Sequence, residues 1–432
     1  MNKISIFWFR RDLRLHDNVG LFYALQSGEK ILPIFIFDPN ILEKLSKNDA
    51  RVSFIHNEVS KMNQDLESIG AAIKVIHKTP KEAFQSLIDT YEIVKVFTNH
   101  DYEPYGIERD LEIDELLKSQ NIQFKTYKDQ VIFERNDITK KDGTPYVVYT
   151  PYSKKWMEGY HQLGEKKYPS EDLLDEISKK IDHKALSLED IGFTQTTAPI
   201  QEYIFNSRII NEYEETRNFP ALDNTSKLGP HLRFGTVSVR QMVARARAQE
   251  NPTFLKELIW REFFMQILWH FPQTHKDAFR SKYDRILWRN NEEEFKKWCD
   301  GETGYPLVDA GMRQLNQTGF MHNRVRMLVG SFLCKHLLID WRWGEAYFAE
   351  KLHDYEMSSN VGNWQWVAGT GVDAAPYFRI FNPTSQVLKF DKELKYIKKW
   401  VPDFQELTYP TQMVDHKLAR ERCLKTYKEA LA

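Results

Sequence analysis

Cysteine is scarce in this chain of 432 residues, with only Cys299, Cys334 and Cys423. Three cysteines so far apart give neither a disulfide framework nor the spacing of a metal site. The sequence also lacks an apolar run of about 18 residues, the length that a membrane-spanning helix needs. These absences favour a reducing compartment, so we expect a cytoplasmic protein without a metal site or a membrane span.

An excess of charge of either sign is also missing. The chain has 60 Lys and Arg against 61 Asp and Glu, a formal net charge of -1. A globally cationic surface is therefore excluded, and a nucleic-acid partner would need a local basic surface. The first residues, NKISIFWFRRDLR, read as a strand followed by charge and not as a signal peptide.

The first 130 residues alternate between short apolar runs and helical patterns. The runs are ISIFWF, ILPIFIF, AAIKVI and IVKVFT. Such alternation predicts an α/β domain, a doubly wound parallel sheet with helices on both faces. The loop RRDLRLHDN after the first run contains no glycine, so the dinucleotide-binding fingerprint is absent and the fold alone indicates no nucleotide site.

The remaining chain divides into a linker and a helical domain. Residues 131–200 mix turn signals with polar segments, which we interpret as a linker after a domain of residues 1–130. Residues 201–432 are predicted to be all-α and nearly strandless. TFLKELIWREFFMQILWHF and NRVRMLVGSFLCKHLLIDW have the patterns of strongly amphipathic helices.

Tryptophan, in contrast, is abundant: nine of the eleven lie between Trp260 and Trp400. Trp364 and Trp366 stand in NWQWVAGTGVDAAPYFRIFNP, which reads as an extended aromatic stretch before a glycine-rich turn. One interpretation is a tryptophan-rich helical core, in which each indole N–H finds a partner. The other is that these rings face a cofactor or a base.

Two further segments carry candidate functional groups. In DNTSKLGPHL, Thr225 and Ser226 precede a helical pattern, where they would either cap the helix or, with backbone N–H groups, hold a phosphate. In ELIWREFF, Glu257, Trp260 and Arg261 share one helical face.

Arg326 and Asp354 are expected to be buried partners. An unpaired buried charge is costly, so each of the two needs either the other or a cofactor.

Seven segments, in the order in which they occur, resemble the DNA photolyase/cryptochrome family from end to end. They are WFRRDLRLHDN, VYTPYSKKW, NFPALDNTSKL, ELIWREF, TGYPLVDAGMRQLNQTGFMHNRVRM, DWRWGE and NWQWVAGTGVDAAPYFRIFNP. The resemblance implies an α/β antenna domain followed by an all-helical domain that binds FAD. It also implies light-driven electron transfer from photoexcited reduced FAD to a cyclobutane pyrimidine dimer flipped out of UV-damaged DNA.

The resemblance implies a set of FAD-binding residues. Arg326 and Asp354 would pair beside the isoalloxazine, and Asn360 would face its redox-active nitrogen. Lys227, Gly229 and Glu356 stand where family members frequently have Arg, Ser and Asp, so the Gly229 N–H would replace a hydroxyl. The implied set is Tyr213, Thr225, Ser226, Lys227, Leu228, Gly229, Arg261, Arg326, Asp354, Glu356 and Asn360.

Electron-transfer and lesion-binding residues follow from the same resemblance. The electron-transfer triad matches Trp288 at the surface, then Trp341, then Trp364 next to FAD. Stacking on the damaged bases, hydrogen bonds to their polar edges and phosphate contacts are implied for a second set. That set is Arg217, Glu257, Trp260, Asn323, Arg324, Met327 and Trp366. Glu257, Asn323 and Asn360 are the implied catalytic residues.

Two positions separate the branches of the family. Members that repair (6-4) photoproducts have two histidines where this chain has Asn323 and Met327, so the resemblance is greatest to class I cyclobutane pyrimidine dimer photolyases. His322, next to Asn323, is expected to be structural. The alternative is a cryptochrome-type blue-light sensor that binds FAD without repair, which need not keep the lesion-binding residues. A flavoprotein without either activity is disfavoured, because nothing in the sequence indicates decay.

A second, light-harvesting chromophore is left unassigned. In NHDYEPYGIERD, Tyr105 and Gly106 replace the Asn-Glu pair of folate-binding members, so folate contacts look absent. A deazaflavin, a flavin or no second chromophore stay open. We expect a monomer, because a lesion is a single asymmetric site.

Overall fold

The computed structural model describes residues 3–164, 166–179 and 185–432. Parts of the predicted linker, at residues 165 and 180–184, lie outside the described residues. The chain forms two compact units. The first contains Met1–Glu134, Met157–Gln201 and Leu228–Ala248, and the second contains Arg135–Trp156, Glu202–Lys227 and Gln249–Ala432. The predicted division into residues 1–130, a linker 131–200 and residues 201–432 stays a prediction. The two units share that linker between them and place Leu228–Ala248 with the first unit.

The first unit is built on a five-stranded parallel sheet in the order β3-β2-β1-β4-β5. Its strands are β1 (Lys3–Phe9), β2 (Lys30–Phe37), β3 (Lys74–His77), β4 (Glu92–Asn99) and β5 (Gln123–Tyr127). Six consecutive residues of β1 are buried, which is typical of a strand covered by helices on both faces. The predicted α/β sheet is therefore confirmed.

The fifth strand was not predicted from the sequence. β5 lies at the edge of the sheet, and none of its five residues is fully buried. Without a buried face, QFKTY lacks the apolar run that identifies the other strands.

Eighteen α-helices are formed by the described residues. Those in the first half of the chain are α1 (Val19–Leu25), α2 (Pro39–Leu42), α3 (Ala50–Glu67), α4 (Pro80–Thr90), α5 (Pro104–Ser119), α6 (Tyr149–Leu163) and α7 (Ser207–Thr216). The others are α8 (Gly229–Phe234), α9 (Val239–Arg247), α10 (Thr253–His270), α11 (Glu292–Asp300), α12 (Pro306–Thr318), α13 (Asn323–Ser331), α14 (Trp341–Lys351), α15 (Met357–Ala368), α16 (Pro383–Phe390), α17 (Lys395–Trp400) and α18 (His416–Leu431). In the described part of the chain, none combines the length and apolarity required to cross a membrane.

The prediction that α10 is amphipathic is wrong. The helix forms as expected, but eleven of its residues are buried. Helices α7 and α15 and the segment Pro272–His275 all pack against it. A helix covered on most sides is apolar all round, so its sequence shows no single polar face.

The second predicted amphipathic helix is also wrong in extent. Helix α13 ends at Ser331 and passes into a π-helix, Phe332–Leu337. Leu338 has a left-handed φ of 51°, which ends this segment before α14 begins at Trp341. Short π-helical segments are frequent at functional sites.

The tryptophan stretch is helical, so the prediction of an extended conformation is wrong. Trp364 and Trp366 both lie in α15. Residues two apart in an α-helix point about 200° apart, so the two rings face nearly opposite sides. Trp364 is 3% exposed, and Trp366 is half-buried.

Two glycines let helices approach α15 closely. A Cβ at Gly344 would lie 2.2 Å from the Trp364 ring, and a Cβ at Gly362 would lie 2.2 Å from the Phe264 ring. Glycine at Gly344 therefore brings α14 against Trp364, and glycine at Gly362 brings α10 against α15.

Candidate functional site

Arg217 joins two of the predicted lesion-binding residues. Its Nη1 donates to Glu257 Oε1 at 2.5 Å, and its carbonyl oxygen accepts from Asn323 Nδ2 at 2.9 Å. Arg217 caps the end of α7, Glu257 lies in α10 and Asn323 begins α13. Three helices thus bring a carboxyl, an amide and a guanidinium into one cluster.

Burial shapes the acid–base properties of this cluster. It raises the pKa of Glu257, although the adjacent Arg217 opposes the shift. Burial also raises the pKa of Tyr213, and the negative charge of Glu257 adds to that shift. The ring of Tyr213 packs edge-on against Phe254 and lies 5.0 Å from the Arg217 guanidinium.

Trp260 is one turn beyond Glu257 on α10. Tyr149 lies parallel to it, with ring centroids 3.7 Å apart and planes at 5°. The hydroxyl of Tyr149 donates to the Lys256 carbonyl oxygen at 2.8 Å, and its backbone N–H donates to Asp373 at 3.1 Å. One face of the Trp260 indole is therefore covered by a ring that is itself held at two points.

Arg261 forms a two-point ion pair with Glu356 at the start of α15. Arg261 Nε lies 2.9 Å from Glu356 Oε2, and its Nη2 donates to Oε1 at 2.9 Å. Glu356 is 5% exposed, so this paired geometry is well shielded from water.

The predicted pairing of Arg326 with Asp354 is confirmed. The two side chains form hydrogen bonds of 3.1 and 2.8 Å, and Arg326 Nε donates to the Met321 carbonyl oxygen at 2.7 Å. The prediction that they are buried is wrong, because the side chains are 28% and 20% exposed. Both side chains are therefore partly accessible to solvent rather than inside the core.

Asn360 is held by Glu345. Its Nδ2 donates to the Glu345 carbonyl oxygen at 3.1 Å and to Oε1 at 2.9 Å. Burial raises the pKa of Glu345, against the effect of the Asn360 hydrogen bond. The Nδ2 group being committed to Glu345, the amide orientation of Asn360 is fixed.

The loop before α8 contains a hydroxyl without a partner. Thr225 Oγ1 is buried and makes no hydrogen bond. The alternative that Thr225 caps α8 is excluded, because the capping position is Leu228 and no side chain caps this helix. Ser226 accepts a bond from the Ile204 N–H at 2.8 Å through its carbonyl oxygen. Leu228 and Gly229 belong to the first unit.

Lys227 has a left-handed backbone, with φ 55°. Its Nζ lies 2.8 Å from Asp223 and 3.7 Å from the Phe320 ring centroid. This lysine is thus folded back on its own loop and on Phe320.

The two inner tryptophans of the predicted electron-transfer triad are more buried than the outer one. Trp288 is half-buried beside Tyr427, with ring centroids 6.0 Å apart, whereas Trp341 and Trp364 are 1% and 3% exposed. Trp341 and Gly344 are one turn apart on α14, and Gly344 packs directly on the Trp364 ring. Trp341 and Trp364 therefore both lie at the contact between α14 and α15.

The remaining predicted lesion residues lie on α13 and α15. Met327 is half-buried on α13. Arg324 hydrogen-bonds Asn218, and its guanidinium lies 4.4 Å from the Phe390 ring. The Arg379 guanidinium lies 6.0 Å from the Trp366 ring.

Comparisons with known proteins decide the family. Residues 5–171 match the family model described as DNA photolyase, and residues 254–408 match the model of the FAD binding domain of DNA photolyase. A deoxyribodipyrimidine photo-lyase of Synechococcus is 35% identical and covers 99% of this chain and 97% of its own. The chain belongs to the DNA photolyase family.

Two solved photolyase structures are similar over their full length. The class III photolyase of Agrobacterium tumefaciens is 33% identical with a TM-score of 0.89, covering 100% of this chain and 98% of its own. The archaeal photolyase of Sulfolobus tokodaii is 33% identical with a TM-score of 0.81, covering 99% and 100%. The latter is described as containing two FAD molecules, with a novel light-harvesting cofactor implied.

The residues of this photolyase-family chain fit an FAD. Thr225 and Ser358 each present a buried hydroxyl without a hydrogen-bond partner in the protein. Buried polar groups are normally paired, so an orphaned hydroxyl indicates a missing ligand or water. Arg261 pairs with Glu356, and Arg326 pairs with Asp354, so two cationic side chains lie against the segment Asp354–Asn360.

Two residues of the candidate site, Tyr149 and Glu345, were not predicted from the sequence. They lie in the segments VYTPYSKKW and DWRWGE, without a predicted role. Tyr149 is distant in sequence from its partner Trp260, and Glu345 lies on a different helix from its partner Asn360. The one sequence signal at these two residues is the resemblance of their segments to the family. His322, expected to be structural, is 2% exposed and caps α13 by accepting from the Arg324 N–H. Burial lowers its pKa to about 3.

Side chains near the ends of β2 and β4 in the first unit contact one another. Tyr105 donates to Asp38, and Arg109 lies 5.0 Å from the Trp8 ring. Burial raises the pKa of Tyr105 to about 12, and the Asp38 hydrogen bond adds to the shift. Arg51 pairs with Asp49, two residues earlier in the chain.

Proposed function

We propose that this protein repairs cyclobutane pyrimidine dimers in UV-damaged DNA in a light-driven reaction with FAD as its cofactor. The observation that carries this proposal is the cluster of Arg217, Glu257 and Asn323 next to a preformed aromatic platform at Trp260. A damaged dinucleotide needs both: a flat surface for its rings and polar groups for its carbonyl and imide edges.

The lesion-side residues have complementary hydrogen-bonding roles. Asn323 uses Nδ2 to bind the Arg217 carbonyl oxygen, which leaves Oδ1 to accept an imide N–H. Glu257, whose pKa is raised by burial, keeps a proton to higher pH than an ordinary carboxyl and so can donate to a carbonyl oxygen. Charge that develops on that oxygen is then stabilised by a donor already in place.

The cofactor-side residues bind and orient. Thr225, Ser226 and the backbone of Leu228 and Gly229 would hold phosphates, with Tyr213, Lys227 and Arg261 around them. Arg326, Asp354, Glu356 and Asn360 would hold the ring system and its chain. When bound and reduced, FAD supplies the electron that opens the cyclobutane ring after it absorbs light.

Trp288, Trp341 and Trp364 would carry electrons from the surface inward. Trp341 and Trp364 are both buried and thus shielded from water, whereas Trp288 is half-buried. A blue-light sensor would keep this chain of rings as well, so the triad does not distinguish the two functions. The lesion cluster does, because a sensor has no need for it.

The proposed partner is UV-damaged DNA, bound by a monomer in the cytoplasm. Arg217, Arg324 and Arg379 supply local positive charge in a chain of nearly zero net charge. All three cysteines are buried and unpaired, which agrees with a reducing compartment. For a second, light-harvesting chromophore, the proposal leaves a deazaflavin, a flavin or none open.

Binding in the dark tests the lesion assignment. We expect an oligonucleotide with one thymine cyclobutane dimer to bind more tightly than the undamaged or (6-4)-containing strand, and to weaken as salt is raised. Equal affinity for all three would contradict the assignment of Asn323 and Met327 to a dimer pocket.

A further inference from the structure

A buried ammonium group lies in the helical unit, and the proposed repair reaction gives it no role. Lys335 is 1% exposed within the π-helix Phe332–Leu337. Its Nζ donates one hydrogen bond, to the Arg379 carbonyl oxygen at 3.0 Å. An ammonium buried away from water without a carboxylate partner weakens the folded state. A functional role would account for its presence.

The surroundings of Lys335 contain no compensating carboxylate in the described part of the chain. The titratable groups acting on it are Cys334 beside it, Cys423 from α18, and Arg379. Both thiols have their own pKa raised by burial, so they are neutral near pH 7. Burial lowers the pKa of Lys335 to about 8.

The carbonyl that Lys335 binds ends a tight turn, Pro376–Arg379. The Arg379 N–H donates to the Pro376 carbonyl oxygen at 2.8 Å. Tyr377 stacks on the buried Tyr427, with centroids 5.6 Å apart and planes at 11°. The turn is therefore fastened to the interior through Tyr377 and through Lys335, while Phe378 is 61% exposed.

Arg379 connects this turn to the proposed lesion site. Its guanidinium carbon lies 6.0 Å from the Trp366 ring and 5.5 Å from the Phe381 ring. The side chain is exposed, so a cation stands at the solvent side of Trp366. The position of that cation depends on the backbone that Lys335 holds.

We propose that Lys335 is a positioning residue whose ammonium holds the turn Pro376–Arg379, so that Arg379 stays beside Trp366 to bind damaged DNA. The inference rests on the proposed function, because Trp366 faces a lesion only if the protein binds one. A charged donor forms a stronger hydrogen bond than a neutral amine. Loss of the proton therefore loosens the turn, and binding of damaged DNA weakens as pH rises through about 8.

The charge of Lys335 strengthens the turn but weakens the folded state as a whole. The pKa of Lys335 is lower in the folded chain than its ordinary value of 10.5. The unfolded chain therefore binds this proton more strongly, and the buried charge disfavours folding at neutral pH. Lys335→Met removes that cost, so its Tm equals or exceeds that of the wild type, whereas a lysine that merely supports the fold would give a lower Tm.

The test compares FAD-loaded wild type, Lys335→Met and Lys297→Met, an exposed lysine of α11. Amide hydrogen exchange of Arg379, corrected for intrinsic rates, reports the turn without DNA. Affinity for an oligonucleotide with one thymine dimer is measured from pH 6.5 to 9.5. In Lys335→Met we expect about tenfold faster exchange and about tenfold weaker binding at pH 7, with no alkaline decline. Lys297→Met should behave as the wild type.

The outcomes separate this inference from the proposed function. Wild type that binds no dimer at any pH contradicts the proposed function itself. Tight wild-type binding with unchanged exchange and affinity in Lys335→Met overturns the role of Lys335 alone, as does faster exchange with unchanged affinity. If Lys335→Met fails to fold, the wild type decides: Arg379 protection that stays constant through pH 8 overturns the inference.

Discussion

Tyr149 lies flat against Trp260, with ring centroids 3.7 Å apart. Because its hydroxyl binds the Lys256 carbonyl oxygen one turn earlier in α10, the ring and the helix that carries Trp260 are held together. A base can stack only on the opposite face of the indole. The platform for a damaged base is thus ordered before DNA binds, which reduces the entropy lost on binding.

Replacing Tyr149 tests this platform. Tyr149→Leu removes the stacked ring, and we expect affinity for a dimer-containing oligonucleotide to fall about two- to tenfold, the range of aromatic pairing energies. Tyr149→Phe keeps the stack but loses the hydrogen bond to the Lys256 carbonyl oxygen, so its affinity should lie between those of the wild type and Tyr149→Leu. Fluorescence anisotropy with damaged and undamaged strands gives the comparison. Unchanged affinity in Tyr149→Leu, with FAD still bound, would mean that Trp260 needs no support.

Trp364 is expected to be essential for light-driven reduction of oxidised FAD. In Trp364→Phe the inner ring of the relay can no longer be oxidised, so flavin absorbance under blue light with an added thiol should not bleach. Repair by the chemically reduced variant should be largely intact, because the lesion side does not use this ring. Trp400→Phe, at the end of α17, is the matched control and should bleach normally. Normal bleaching of Trp364→Phe would remove it from the relay.

The unpaired hydroxyl of Thr225 is expected to affect the stability of the apoprotein and the retention of FAD in opposite directions. A buried unpaired hydroxyl costs the folded apoprotein about 1–3 kcal/mol, so Thr225→Val should raise or preserve the Tm of the apoprotein. If the hydroxyl binds FAD, the same variant should release FAD at least about tenfold more readily.

Ser5→Ala is the control for Thr225→Val. Ser5 Oγ is also buried without a partner, but it lies in β1 of the first unit. Its loss should raise or preserve stability and leave FAD retention unchanged. FAD release by Thr225→Val at the wild-type rate would remove Thr225 from the cofactor site.

Glu257 predicts a pH dependence of repair. Burial raises its pKa, so the carboxyl that donates to the lesion persists to higher pH than usual and is lost as pH rises through that value. The repair yield of the pre-reduced wild type should therefore fall as pH rises through the raised pKa of Glu257. Glu257→Gln always donates, so its yield should be independent of pH there, whereas the exposed Glu214→Gln should follow the wild type. A Glu257→Gln protein that lost FAD would place Glu257 in the cofactor site instead.

Local sequence pattern was sufficient for much of the fold. Apolar runs identified four of the five strands, because a buried strand consists of apolar residues. Charge pairing identified Arg326 with Asp354, because a charge away from water needs an opposite charge. The pattern failed where other elements decide the environment. α10 is apolar all round because helices surround it, and Trp364 and Trp366 are helical because α15 packs on α10 and α14.

Two contacts between distant segments could not be predicted. Nothing near Tyr149 in the sequence indicates Trp260, and nothing near Lys335 indicates the Arg379 carbonyl oxygen. These contacts arise from the packing of whole helices and turns, whereas sequence periodicity reports only which side of one element is buried.

The central claim is best tested by repair itself. Purified protein, pre-reduced, is illuminated with near-ultraviolet or blue light in the presence of an oligonucleotide with one thymine cyclobutane dimer, beside a dark sample and a (6-4) substrate. The account predicts that ultraviolet absorbance of the thymines returns only with light and only for the cyclobutane dimer. No return with either substrate, in protein that retains FAD and photoreduces it, would contradict repair and make the protein a light sensor.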